Sequence, residues 1–476
     1  MITFTCCLLF LIAGYFIYGR FVERVFGVDP ERKTPAYTQR DGVDFLPMPT
    51  WKVFMIQFLN IAGLGPIFGA IMGAKFGMSS FLWIVLGTVF AGATHDFLAG
   101  MLSLRHGGES LPEMVGRYLG SRFKQFMRVF TIILMVLVGA VFVAGPAGLL
   151  ANLTAEHLDL TFWIIVIFIY YMIAAVLPVD KLIGRIYPVF AAALLFMAVG
   201  ILVMLFVHHP PLPEITDGLR NTHPNQLPIF PIMFVSIACG AISGFHATQS
   251  PLMARTIKNE KYARPVFYGA MITEGIVALI WAAAATYFYH NNGMAESNAA
   301  VIVDSITKDW LGTTGAILAI LGVIAAPITT GDTAFRSARL IVADILHWEQ
   351  KTLWRRLAIS IPLFLAGIGI LLYSMKDKDG FDMIWRYFAW TNQTLAIFTL
   401  WALTVYLTKE KKLYIITLIP ALLMTAVCTT YIFVAPEGFG LPTALSQAIG
   451  IGITLITLVW YIVWNIRRKD KEKVVE

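Results

Sequence analysis

The stretch Asn60–Gly73 reads NIAGLGPIFGAIMG, and the stretch Cys239–Pro251 reads CGAISGFHATQSP. Each lies in an apolar segment long enough to cross a bilayer. In the first, Gly63, Gly65, Gly69 and Gly73 surround Pro66; in the second, Gly240 and Gly244 precede His246, Thr248, Gln249 and Ser250. Glycine and proline interrupt helices. A break within hydrocarbon leaves amides and carbonyls unpaired, which is tolerated only where they line a cavity or hold a solute. For one such segment alone, close packing through small residues is the simpler reading.

Working outward, about thirteen apolar segments can be marked, at roughly 2–19, 53–74, 80–102, 126–150, 161–178, 185–207, 228–249, 264–289, 311–335, 357–374, 383–405, 413–434 and 443–466. Basic residues fall in every second gap. Of the 36 Lys and Arg, only Lys75, Arg220, Lys308, Lys376 and Lys378 occupy the opposite gaps, and Arg386 lies within a segment near its outer face; Arg128, Arg185 and Arg264, at the ends of their segments, belong with the basic gaps. The opposite gaps carry acid instead: Glu156, Asp159, Glu214, Asp217, Glu296, Asp304, Asp309, Asp377, Asp379 and Glu437. The basic side is cytoplasmic by the positive-inside rule, so the N-terminus is expected outside and the C-terminus inside. On that topology the segment holding Gly63 runs outward and the one holding Gly244 runs inward. They stand five segments apart, an odd number, so two five-helix units must be inverted relative to one another. The fold expected is an all-α polytopic membrane protein with a five-plus-five inverted-repeat core of the LeuT type, one leading helix and two trailing helices. Residues 1–52 form the leading helix and inner loop, 53–207 the first repeat, 208–227 an outer loop, 228–405 the second repeat, and 406–476 the accessory helices with a basic tail.

Composition agrees. Mean hydropathy is +0.72, and only 14% of residues are charged where a soluble chain has about a quarter. The net charge of +7 sits in short loops beside apolar spans, so it speaks for lipid headgroups and not nucleic acid. Cys6, Cys7, Cys239 and Cys428 lie within apolar segments without CxxC spacing, which argues against disulfides and zinc ribbons. The first segment lacks a preceding basic region and a small-residue cleavage site, and is expected to be retained.

Several polar residues fall at membrane depth. His95 and Asp96, in GATHDFLAG, lie in the inner third of their span, and His246 lies at similar depth. Thr329, Thr330, Asp332 and Thr333 lie near the inner end of theirs, followed by Arg336 and Arg339. These groups could converge at one level and pass a proton, since imidazole titrates near neutrality; an interfacial anchor is the simpler reading of His95–Asp96, and a helix cap that of Asp332. Glu274 sits near the bilayer centre, where a carboxylate normally faces a cavity or partner. Asn60, Asn392 and Gln393 supply uncharged donors and acceptors near the midplane. The inner loop SLRHGGESLPEMVGRYLGSRFKQ, residues 103–125, is expected to turn at Gly107-Gly108 and enter a short helix through Pro112, capped by Glu109 or Ser110.

The motifs NIAGLGPIFGA, ATHDF, SLRHGGESLPE, SGFHATQSP, TTGDTAFRSAR and RYFAWTNQTLA, with GYFIYGRFVERVFGVDPERKTPAY near the start, together resemble the carbon starvation protein A family. The resemblance runs from about residue 10 to at least 400. It implies an inner-membrane protein associated with peptide uptake in carbon starvation, or with proton-driven pyruvate transport. It also implies membership of the amino acid–polyamine–organocation transporters. At 476 residues the chain is a short form.

The expected function is therefore secondary import of a small carboxylate-bearing solute by alternating access, coupled to protons or sodium. Asn60, Gly63, Gly65, Pro66, Gly240, Gly244, Gln249, Asn392 and Gln393 are the expected solute contacts. His95, Asp96, His246, Glu274, Thr329, Thr330, Asp332 and Thr333 are the expected coupling groups, the threonines offering oxygens to a sodium ion. No GxxxxGK[ST] phosphate cradle and no HExxH metal pattern occurs, so neither a pump nor an enzyme is expected. A channel would need a continuous polar stripe or filter repeat, and a sensor an output domain. A metal-binding membrane protein using His95, Asp96 and His246 is a weaker rival. Beyond solute, bilayer and ion, no cofactor or nucleic-acid partner is expected, and oligomeric state is not legible.

Overall fold

The computed structural model describes all residues except 43, 155–157, 177–178, 295–298, 351, 377–379 and 476; side chains at 152–153, 175–186, 313–320, 381–382 and 471–475 are likewise not described. Glu156, Glu296, Asp377 and Asp379 of the acidic gaps lie outside the described residues. Among the described residues the chain is helical throughout, with no strand. Among the described residues eight helices are long and apolar enough to cross a membrane: Ile2–Phe26, Met78–Arg105, Ser121–Ala151, Tyr187–His208, Glu260–Asn292, Leu353–Ser374, Ile415–Val434 and Thr443–Asp470. Thr50–Ile61 and Gly65–Ala74, bent by 54°, make a ninth if counted as one. Met78–Arg105 and Glu260–Asn292 form the enclosed centre, with 83% and 89% of their apolar stretches buried; Thr443–Asp470, at 11%, is peripheral.

Both glycine-rich stretches are interrupted. The first helix stops at Ile61 and resumes as a widened π turn, Gly65–Gly69. Pro66 has no amide to give the preceding turn, and the flanking glycines gain little from staying helical. The second stretch runs Phe234–Ile237, tightens over Ala238–Gly240, and restarts as helix at His246–Ala254. Ala238 takes a left-handed φ of 31° at this break. A Cβ on Gly65 would lie 2.3 Å from Cys239 Cβ, one on Gly69 2.8 Å from the Ser236 carbonyl oxygen, and one on Gly73 2.3 Å from Ile237 Cγ1. The GxxxGxxxG face of the first helix is thus the groove into which the second packs. Gly65 faces Cys239, Gly69 the carbonyls of Ser236 and Ile237, and Gly73 the Ile237 side chain, so the two segments are in close contact over Ser236–Cys239. Packing and breakage, opposed as readings of the sequence, are both realised by the same glycines.

Other breaks are closed by side chains. Pro146 lies inside Ser121–Leu153 and leaves the Phe142 carbonyl without its helical donor. The Tyr171 hydroxyl donates to that oxygen at 3.1 Å. The inner loop turns at Gly107 and Gly108, with φ of 70° and 78°, and enters helix Leu111–Leu119. Ser110 holds the cap position but makes no side-chain cap bond, and Glu109 pairs with Arg117 at 2.5 Å, so neither expected cap forms.

A second knot escaped the sequence reading. Glu260 is fully buried and accepts from Arg105 Nε and Nη2 at 3.1 and 3.0 Å and from the Asp29 amide at 2.8 Å. It ties the end of Met78–Arg105 to the loop after the leading helix. Removing one partner of a buried charge pair strands the other. Glu260→Gln is expected to destabilise the protein by roughly 2–3 kcal/mol, discounted because Arg105 is part-exposed. Thermal unfolding in detergent micelles checks this, and an unchanged melting temperature would contradict it.

Candidate functional site

The centre of the molecule holds a chain of four ionisable side chains, each with no solvent exposure: His95, Asp96, His246 and Glu274. His95 and Asp96 come from Met78–Arg105, His246 from the first residue of the helix restarting after the second break, and Glu274 from Glu260–Asn292. His95 Nδ1 lies 2.8 Å from Asp96 Oδ1, and His246 Nδ1 lies 2.8 Å from Asp96 Oδ2. The other face of His246 looks at Glu274, with Nε2 to Oε2 at 3.4 Å, an ion-pair distance slightly beyond a good hydrogen bond. With Asp96 ionised, both rings must carry their proton on Nδ1, so Nε2 of each neutral ring is an acceptor. His246 Nε2 and Glu274 then face one another as two bases, and a stable contact requires one proton on either of them. That proton can sit on the imidazole or the carboxyl.

The structure brings together His95, Asp96, His246 and Glu274 but places Asp332 elsewhere. Asp332 Oδ2 accepts from the Tyr187 hydroxyl at 2.5 Å, and its neighbours are Arg336 and tyrosines, not histidines. The expected single level of His95, His246 and Asp332 is therefore two separate clusters, because Asp332 points to Val179–His208 on the far side of its own helix. Nor do His95, Asp96 and His246 form a metal centre. Among the described residues no group of three His, Cys, Asp or Glu is arranged to hold a metal ion, since the two imidazoles bond opposite oxygens of Asp96 instead of converging on one point.

Around the breaks, some expected contacts are already occupied. Asn392 Oδ1 accepts from Ser243 Oγ at 3.0 Å and from the Phe245 amide at 2.7 Å, and Nδ2 reaches Cys239 Sγ at 3.2 Å. Asn392 thus replaces helical bonds lost at the second break. Thr88 Oγ1 donates to the Gly240 carbonyl at 3.0 Å for the same reason. Gln393 Nε2 donates to the Phe234 carbonyl at 2.7 Å and Gln249 Nε2 to Thr248 Oγ1 at 2.9 Å. Thr330 Oγ1 donates to the Leu59 carbonyl at 3.1 Å, joining its helix to the first broken one. Thr329 and Thr333 donate only to carbonyls of their own helix.

Other buried polar atoms have no partner. Asn60 and Gln57 lie one turn apart, just before the first break, both fully buried, with neither oxygen nor nitrogen of either amide bonded. Both Glu274 oxygens, His95 Nε2, Thr94 Oγ1 and the side-chain oxygens of Gln249 and Gln393 are also without hydrogen bonds. Such atoms are rare in folded proteins and mark places where water, an ion or a solute completes the set. Gln57 was not singled out from the sequence, although a glutamine one turn before Asn60 in an apolar run carried the signal. Tyr171 and Tyr187 were missed too, their hydroxyls being invisible without the fold that aims them.

Comparison with known proteins now bears on this geometry. The family model described as "Carbon starvation protein CstA" matches residues 1–156, 149–308 and 290–431. A protein of Haemophilus influenzae described as an uncharacterized membrane protein is 43% identical, covering 61% of this chain and 92% of its own. The "Peptide transporter CstA" of Helicobacter pylori is 28% identical over 87% of this chain and 79% of its own. The "Pyruvate/proton symporter BtsT" of Escherichia coli is 29% identical, over 58% of this chain and 47% of its own. In three dimensions the chain is similar to the manganese transporter of Eremococcus coleocola, with a TM-score of 0.56 at 12% identity over 90% of this chain and 99% of that one, a likeness of fold alone. Motifs read in the sequence, the multi-pass helical fold and the family match agree: the chain is a transporter of the membrane and belongs to the carbon starvation protein CstA family.

Proposed function

We propose that this chain is a proton-coupled importer of small solutes that carry both a carboxylate and hydrogen-bond donors, small peptides foremost. The observation that carries this reading is the buried Asp96–His246–Glu274 chain, in which His246 Nε2 and Glu274 Oε2 stand 3.4 Å apart beside the second break, placed to exchange one proton. Its two carboxylates come from different repeats. Asp96 lies about as far along the chain from the first break as Glu274 does from the second, so the proton sits where two inverted units meet. Five units of each repeat require Leu160–Val176, Ala299–Leu346, Gly380–Lys409 and the second broken helix to cross as well, giving thirteen crossings with the N-terminus outside and the C-terminus in the cytoplasm of a bacterial inner membrane. The close seating of the two breaks against one another, Gly65 on Cys239, supports this arrangement. Protonation from outside neutralises the Glu274 side, the solute engages the broken backbones, and the repeats rock to face inward.

Solute chemistry follows from the unpartnered atoms. The free amides of Gln57 and Asn60 each present an acceptor as well as a donor. A peptide bond offers N–H and C=O to match both. A keto acid has only acceptors and leaves two buried amide oxygens unpaired, which costs on the order of 1–3 kcal/mol each. Relatives named as a peptide transporter and as a pyruvate/proton symporter support the two solute classes, and the second name supports the proton. Sodium held by Thr329, Thr330 and Thr333 is the second reading, favoured by the Thr330 contact with the Leu59 carbonyl.

Uptake into proteoliposomes tests the proposal. Labelled dialanine is expected to accumulate under an inward proton gradient at least about tenfold more effectively than pyruvate, the equivalent of 1.4 kcal/mol. Accumulation of neither under a proton gradient would remove the reading, and accumulation under a sodium gradient alone would replace it with the second.

A further inference from the structure

We infer that Asp332 is a second proton-binding site, separate from the Asp96–His246–Glu274 chain, so that two protons accompany each solute. The inference rests on the proton-coupled reading above. Asp332 is 1% exposed, deep in Ala299–Leu346. One oxygen takes the Tyr187 hydroxyl at 2.5 Å, and the other, Oδ1, has no hydrogen-bond partner. The groups facing it are Tyr187, Tyr170 and Tyr171 from neighbouring helices and Arg336 and Arg339 from its own. Tyr170 Oη is itself buried and unbonded. Arg336 directs Nη2 to the Ala174 carbonyl at 2.7 Å, and Arg339 directs Nη1 to Gln350 at 2.7 Å, so both guanidinium groups are partly engaged away from the carboxyl. Among the described residues no ion pair closes on Asp332, which leaves Oδ1 open to a proton.

Position on the helix gives that proton a consequence. Thr330, two residues before Asp332, donates to the Leu59 carbonyl at the end of the first broken helix. Ser337, five residues after it, meets Gln249 Nε2 at 3.4 Å and the Thr248 carbonyl at 3.4 Å on the second. Asp332 therefore stands between the two contacts by which this helix touches both broken helices. Adding a proton to Oδ1 removes one negative charge from a dry interior and changes the pull on Arg336 one turn away, which biases how the helix seats on both. None of the partners of Asp96 or Glu274 is shared with Asp332, so the two carboxyls are separate proton sites joined only through the helices between them.

The test is stoichiometry. In proteoliposomes with labelled dialanine as the probe, the solute ratio that just balances an imposed pH difference reads the number of protons per solute. Two are expected for the native protein and one for Asp332→Asn. A value of one in the native protein, or of two retained in Asp332→Asn, overturns the inference while leaving proton coupling intact. Absence of any proton-driven uptake by the native protein defeats the coupling reading and the inference together. Should Asp332→Asn fold poorly, pH-difference infrared spectra of the native protein and Tyr187→Phe decide. A titrating carboxyl band that shifts frequency when the Tyr187 hydroxyl is removed, and persists in Glu274→Gln, is expected. A carboxyl spectrum insensitive to Tyr187→Phe would overturn it.

Discussion

Glu274→Gln is expected to lower proton-driven accumulation by about ten- to a hundredfold while solute exchange between equal concentrations continues. The reason is local. Glu274 is fully buried and its two oxygens have no hydrogen-bond donor, only His246 Nε2 at 3.4 Å. Glutamine keeps the shape and can donate an N–H to His246 Nε2 permanently, so the contact survives but the mobile proton does not. A charge-assisted hydrogen bond is worth about 1.5–3 kcal/mol, which as a coupling energy corresponds to that loss of accumulation. On the proposed alternating access, exchange needs no net proton movement and should persist, because no packing volume changes. Proteoliposome accumulation and counterflow, measured side by side, read the two quantities separately. Equal accumulation by native and substituted proteins would make Glu274 a structural residue, and loss of counterflow as well would mean that the carboxyl holds the fold or the solute instead of the proton.

The helical, membrane-embedded class was legible because membranes constrain chains severely. Long apolar runs and the alternation of Lys and Arg between gaps report on insertion, which is a property of local composition. The two breaks were legible for the same reason, since Pro66 and the glycines around 63–73 and 240–244 stand out where little else is polar or flexible. The site was legible by halves. His95, Asp96, His246 and Glu274 could be singled out by depth, but depth along a helix says nothing about which face a side chain takes. That is why Asp332, expected at the same inner level, proves to bond Tyr187 and not the imidazoles. Asn392 illustrates the converse. A midplane amide reads as a solute ligand, yet here it repairs the backbone at Phe245. Tertiary repair of a broken helix leaves no trace in a single sequence, because the orphaned amide and the side chain that accepts from it lie 147 positions apart.

The close seating of the two broken helices makes the second large prediction, in two contrasting substitutions. Gly244→Ala is expected to destabilise the protein by more than about 3 kcal/mol and to abolish transport. A Cβ there would stand 2.2 Å from the Ala396 amide nitrogen and 2.4 Å from the Asn392 carbonyl oxygen, both backbone atoms of a packed helix that cannot step aside. Gly65→Ala meets a side chain instead, Cys239 Cβ at 2.3 Å and Sγ at 2.5 Å. Alanine improves helical propensity by up to about 1 kcal/mol, but overpacking costs about 1–3 kcal/mol, so a net loss is expected. Cys239→Gly removes both offending atoms. Alone it should also destabilise, since it empties a buried position and forfeits the Asn392 contact at 3.2 Å. Combined with Gly65→Ala, the two defects should offset, leaving a favourable interaction of at least about 1 kcal/mol in a double-mutant cycle read by thermal unfolding in detergent. No comparable rescue is expected for Gly244→Ala with any side-chain truncation at 392 or 396, because the obstruction is main chain. Strict additivity of Gly65→Ala and Cys239→Gly would show that the two breaks do not touch, and the proposed proton site between them would lose its physical basis.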